Sequence, residues 1–123
     1  MNPKLLPKDL QPDNLLKPAA GDFPLSQTNP FTEYRTSLYR AGSDADFLGW
    51  IELYNGNQVV GYVYVRRPLR SPYLGSTRYV VMDVTPDFLE PLLRILQSGE
   101  PLQIRFEQDD ASTDGSAFLE HRR

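Results

Sequence analysis

Phe47-Leu-Gly-Trp-Ile-Glu-Leu-Tyr54 and Asn57-Gln-Val-Val-Gly-Tyr-Val-Tyr-Val65 flank the dipeptide Asn55-Gly56, and this stretch decides the fold. Both flanking runs are rich in β-branched and aromatic residues. Asn-Gly accepts the positive φ that a type I′ turn requires at both central positions. The stretch therefore predicts a β-hairpin. A two-residue loop at Asn55-Gly56 sets Trp50 opposite Gly61 and Gly49 opposite Tyr62, so that an aromatic ring shields each bare glycine backbone. A three-residue loop would shift the register and abolish both pairs.

Working outward on the N-terminal side, Tyr34 to Arg40 alternates as a strand, and Gly42-Ser-Asp-Ala-Asp46 reads as a turn. On the C-terminal side, Arg66 to Thr77 is a loop by its prolines and glycine, and Arg78-Tyr-Val-Val-Met-Asp-Val84 is a strand. A helix follows. Asp87 is placed to cap it, with Glu90 three positions on completing a capping box and Pro91 in the first turn; Thr85-Pro86 offers a second start. Leu89, Leu92, Leu93 and Leu96 form its apolar stripe, widened by Phe88 and Ile95, and Gly99 is placed to end it in the left-handed conformation. Leu102, Ile104 and Phe106 then alternate with Gln103, Arg105 and Glu107 as a last strand. The expected fold class is α+β: a mostly antiparallel β-sheet of four or five strands with one amphipathic helix packed on a face.

The succession Gly49-Trp-Ile-Glu-Leu-Tyr-Asn-Gly56, a Val-rich strand, a Tyr-x-Val-Met strand, Phe88 to Leu96, and Gly99-Glu-Pro-Leu-Gln-Ile104 resembles a type of small uncharacterised bacterial protein over about residues 47–106. The 66–77 loop departs from the Asp-Gly and Pro-rich pattern of that group. The resemblance implies the element order and no activity.

Six of the eleven prolines fall at positions 3, 7, 12, 18, 24 and 30, which opposes helix and ladder alike. Residues 1–33 are thus expected to be an extended proline-rich arm, disordered or docking through Leu5, Leu6, Leu15, Leu16 and Phe23, and residues 34–123 a single α+β domain. Charge is unevenly spread: −1 over residues 1–33, +3 over 34–78 and −5 over 79–123. All three lysines lie within the first 17 residues, whereas every basic residue from 34 onward is arginine, the side chain suited to paired and stacked contacts. No apolar run approaches the roughly 20 residues that cross a bilayer, and Pro7, Pro12 and Pro18 interrupt any signal-peptide core. Cytoplasmic residence and no membrane partner are the expectation.

The chain contains no cysteine, which removes disulfide, thiolate and zinc-knuckle chemistry. Its single histidine, His121, stands near a chain end, a poor place for a rigid triad. Asp83, Glu52 and Glu107 lie on strands without a spacing that favours any pair. Asp110-Ala-Ser-Thr-Asp-Gly115 opens like a calcium loop, but His121 stands where the bidentate glutamate is required. No glycine-rich phosphate loop occurs. The expectation is no catalytic residue, no metal and no cofactor.

The remaining constellation is arginine with aromatics. Arg66, Arg67, Arg70 and Arg78, with Tyr73 in the same loop and Tyr62, Tyr64 and Trp50 on adjoining strands, form the expected partner-binding residues. They point to a non-enzymatic module that binds another protein or a second copy of itself, although Asp109, Asp110 and Asp114 could instead neutralise the arginines within the fold or between protomers. The alternative is a single-stranded nucleic-acid binder in which the rings stack on bases and the arginines track phosphates, although the acidic C-terminal part would repel a polyanion.

Overall fold

A computed structural model describes residues 15–38 and 47–122; the leucines Leu5 and Leu6 and the turn at 42–46 lie outside the described residues. The strands β1 (Leu25–Phe31), β2 (Glu33–Leu38), β3 (Phe47–Asn55), β4 (Gln58–Arg66), β5 (Tyr73–Leu74), β6 (Val80–Val84), β7 (Leu102–Gln108) and β8 (Ser116–His121) surround one helix, α1 (Leu89–Leu96). The fold is α+β, as expected. It is built from two sheets, β2-β3-β4-β6-β5 and β1-β7-β8. Every pairing is antiparallel except β4 with β6, which is parallel across the 67–79 connection.

β1 and β8 are strands that the sequence pattern did not reveal. Residues 25–31 fall within the segment read as an arm, yet Leu25 and Phe31 are buried and every residue from Leu25 to Phe31 registers against β7. Pro30 is tolerated because β1 ends its sheet, where a missing N–H breaks no second ladder. The chain then changes sheet at Thr32, whose N–H bonds the Tyr54 carbonyl (2.9 Å). Upstream, Leu16 N–H bonds the Leu74 carbonyl (3.0 Å), and Leu16 and Phe23 pack on the core. The described part of the arm therefore docks on its own domain.

The hairpin forms with a different register. Asn55 pairs with Gln58, so Gly56-Asn57 is the loop; Gly56 has φ +65° whereas Asn57 does not take a positive φ. Glycine alone at the first central position is the pattern of a type II′ turn rather than I′. A bulge then leaves Val60 unpaired between the Tyr54–Val59 and Leu53–Gly61 pairs. Trp50 consequently faces Tyr64, and the expected pairs Trp50–Gly61 and Gly49–Tyr62 do not form. Aromatic shielding of glycine occurs elsewhere: a Cβ on Gly75 would fall inside the Tyr79 ring, and one on Gly115 against the Phe106 ring.

The helix starts from the second of its two possible origins. Pro86–Phe88 forms a 3₁₀ turn with Thr85 before it, and α1 continues from Leu89 with Pro91 in its first turn. Proline at the first position suits that start, so Asp87 is left exposed rather than capping. Leu92 and Leu96 enter the core, and Gly99 takes φ +78° just beyond. The core lies between the sheets, where Ile51, Leu53, Val63 and Val65 meet Ile104 and Phe106. Gly61 permits this approach: a Cβ there would stand 3.0 Å from Ile104 Cγ2.

Candidate interaction surface

The sheet register gathers most of the expected arginine and aromatic residues on one face. Trp50, Tyr64 and Asp83 align across β3, β4 and β6, while Glu52, Tyr62, Val81 and Tyr73 align across β3, β4, β6 and β5. Tyr62 stacks near Tyr64 at 6.1 Å between ring centres and meets Tyr79 edge-on at 5.5 Å. Tyr64 is fully buried and forms, with Phe47, Tyr79 and Val81, a small second core. A ring so placed stabilises the fold and cannot stack on an incoming base.

The arginines are likewise occupied. Asp83, 2% exposed in its side chain, accepts three hydrogen bonds from Arg70: from the backbone N–H (2.8 Å), Nε (2.8 Å) and a terminal nitrogen (2.7 Å). The Arg70 guanidinium also lies 5.0 Å from the Tyr64 ring centre and 5.8 Å from that of Tyr73. Burial alone would lower the Arg70 pKa; the hydrogen bonds and charge of Asp83, with the two tyrosines, outweigh it and hold the guanidinium above its ordinary value. Arg66 Nε approaches Asp83 at 3.8 Å and donates to the Pro68 carbonyl (3.2 Å). Arg67 pairs with Asp87 at 3.2 Å in solvent. Arg78 stands apart, turned toward β1, where its Nε donates to Gln27 Oε1 (2.6 Å). Its φ of +67° is held by Asn29, whose Nδ2 donates to the Arg78 carbonyl (2.9 Å).

The strand carboxylates do not converge. Glu52 accepts from Trp50 Nε1 (3.0 Å) and the Tyr54 hydroxyl, and Glu107 sits on the other sheet beside Arg105. Asp110 accepts from the N–H (2.8 Å) and hydroxyl (2.6 Å) of Ser112 within the β7–β8 turn, which holds its carboxyl below the ordinary range. His121 is the last residue of β8 and exposed. A cleft of about 680 Å³ between the β1–β2 corner and Gly99–Leu102 contains Arg122, whose guanidinium donates to the Phe31 (3.1 Å) and Leu102 (3.0 Å) carbonyls.

A different surface is open. β8 ends its sheet, and among the described residues no strand pairs with its outer side. Alongside lies a groove of about 360 Å³, bounded by Leu69 and Pro72 of the 67–72 loop, Met82 of β6, and Ala117 and Phe118 of β8. Leu69 is 55% and Phe118 38% exposed. Arg105 lies 4.2 Å from the Phe118 ring centre and is itself held by Glu120 at 3.0 Å, so the ring is braced from its own sheet. The only sequence sign of this surface was the short apolar triplet Ala117-Phe-Leu119, too brief to register as a strand. No family model, curated protein or solved structure matches the chain. Among the described residues no helix is long and apolar enough to cross a membrane.

Proposed function

We propose that the chain is a non-enzymatic protein-interaction module whose binding surface is the outer edge of β8 with the Leu69–Phe118 groove. The supporting observation is the pairing of an open strand edge with two exposed apolar side chains across a groove. An end strand offers unpaired N–H and C=O groups to an incoming extended segment, and the adjacent apolar walls supply specificity. The Arg66, Arg70 and Asp83 network serves this surface by fixing the loop that carries Leu69.

Retention of proteins from host lysate, after nuclease treatment, on the native chain and on Phe118→Glu and Leu69→Glu variants tests the reading. A defined protein, identified by mass spectrometry, should be held by the native chain and depleted roughly tenfold or more by either variant. Equal retention by all three would overturn it.

A further inference from the structure

We propose that the cleft between the β1–β2 corner and residues 99–102 is a binding site for a small zwitterion, a free α-amino acid with an apolar side chain. Its carboxylate would meet Arg122 and its ammonium Glu33 and Glu100. The site lies apart from the β8 edge and goes beyond the interaction reading. It is built where the chain passes from one sheet to the other. The bond from Thr32 N–H to the Tyr54 carbonyl turns β1 into β2, so that Phe31 and Glu33 line the same cleft. Arg122 N–H holds the Pro101 carbonyl (3.0 Å), which keeps the residue after β8 beside the start of β7.

Arg122 is oriented but not neutralised. Its Nε donates to the Leu102 carbonyl (3.0 Å) and Nη2 to the Phe31 carbonyl (3.1 Å), two nitrogens that share one edge of the guanidinium. A guanidinium carries five N–H donors, so Nη1 and the second N–H of Nη2 remain at its far end, a fork that fits a carboxylate. Among the described residues no carboxylate pairs with Arg122, which is exposed and lines the cleft. A group held in place before the ligand arrives lowers the ordering cost of binding.

The sign of the surroundings selects the ligand. Glu33 and Glu100 line the same cleft, both exposed, and among the described residues neither pairs with a cation. A phosphate or a dicarboxylate on Arg122 would stand close to two like charges, which disfavours a plain anion. A carboxylate with an ammonium beside it answers both signs. Phe31, Leu96 and Leu102 are buried yet reach the cleft, so its floor is apolar and suits an apolar ligand side chain. A volume of about 680 Å³ lies within the usual range of small-ligand sites.

Titration of the isotope-labelled chain with L-leucine and with L-phenylalanine at neutral pH, followed by amide resonances, tests the site. Saturable shifts should concentrate at residues 32–34, 99–102 and 122. Leucinamide, which lacks the carboxylate, and N-acetyl-L-leucine, which lacks the ammonium, should each bind the native chain at least about tenfold more weakly than leucine. The exposed double variant Glu33→Gln/Glu100→Gln should close the gap between leucine and N-acetyl-leucine. Arg122→Gln should lose leucine, and the leucinamide comparison on the native chain keeps that result apart from any loss of folding. No saturable shift from either amino acid at about 10 mM, or shifts confined to other surfaces, overturns the proposal. Leucinamide binding as tightly as leucine removes Arg122 from the site and also overturns it. N-acetyl-leucine binding as tightly as leucine would assign the cleft to a peptide C-terminus instead of a free amino acid.

Discussion

Asn29 is the buried polar residue on which the two sheets depend, at only 9% exposure. Its Nδ2 donates at 2.9 Å both to the carbonyl of Val60, at the bulge of β4, and to the carbonyl of the left-handed Arg78. Its Oδ1 accepts from Gln27 Nε2 (2.6 Å), so both ends of the amide are engaged. Asn29→Ala should cost about 2–3 kcal/mol, the penalty of stranding buried acceptors, and lower the urea midpoint with an unchanged slope. Asn29→Asp should cost more, because an acceptor then faces two carbonyls. A second residue-scale expectation concerns pH. The Tyr54 hydroxyl is pushed above its ordinary value, chiefly by its hydrogen bond to Glu52, then by burial and the Glu52 charge, against the opposing pull of Arg35. A phenol raised in the folded state contributes stability below its unfolded pKa of about 10 and loses it as pH climbs through the folded value. Unfolding measured from about pH 9 to 11 should therefore show a steeper loss for the native chain than for Tyr54→Phe. Equal slopes would remove Tyr54 from the alkaline limb.

At the scale of elements, what could be read in advance followed the strength of local periodicity. β3, β4, β6 and β7 are long apolar or alternating runs, and α1 carries four leucines at helical spacing, so each was legible. The hairpin position was legible but its register was not, because Gly56-Asn57 competes with Asn55-Gly56 for the loop and the Val60 bulge answers to a contact from β1. β1 was hidden by Pro24 and Pro30, whose local veto is void on an end strand. Of the candidate site, the clustering of Trp50, Tyr62, Tyr64, Tyr73 and Arg70 was legible. That Tyr64 is buried and Arg70 spent on Asp83 was not, since both depend on how the 67–72 loop folds over the sheet. The part played by β1 leads to a direct expectation. Removing residues 1–31 deletes Leu25, Asn29 and Phe31 and uncovers β7, so the shortened chain should lack a cooperative thermal transition and dispersed amide resonances. A folded 32–123 chain would show that β1 is an accessory.

For the whole molecule, the uneven charge of the sequence resolves into internal neutralisation. The basic stretch at 66–70 meets the acidic stretch at 83–87, through Arg66 and Arg70 on Asp83 and Arg67 on Asp87. Arg105 is enclosed by Glu107 and Glu120, and Arg78 is drawn onto β1. The four arginines thus spend much of their hydrogen-bonding capacity within the chain, on Asp83, Asp87 and Gln27 rather than on the expected Asp109, Asp110 and Asp114, and the net charge of −3 leaves no excess positive field. Affinity for a single strand depends on cationic side chains releasing counterions from phosphates and on rings able to stack with bases. Here the best-placed ring, Tyr64, is sealed beneath Arg70, and the guanidinium above it is already neutralised by Asp83. Fluorescence anisotropy with a labelled oligothymidine or oligouridine at low salt should accordingly show no saturable binding, with native chain and the Arg66→Gln/Arg67→Gln variant indistinguishable. Saturable binding that falls steeply with salt and is lost in that variant would mean that the Arg67–Asp87 pair opens on contact with phosphate, and would move the functional surface from the β8 edge back to the 66–78 loop.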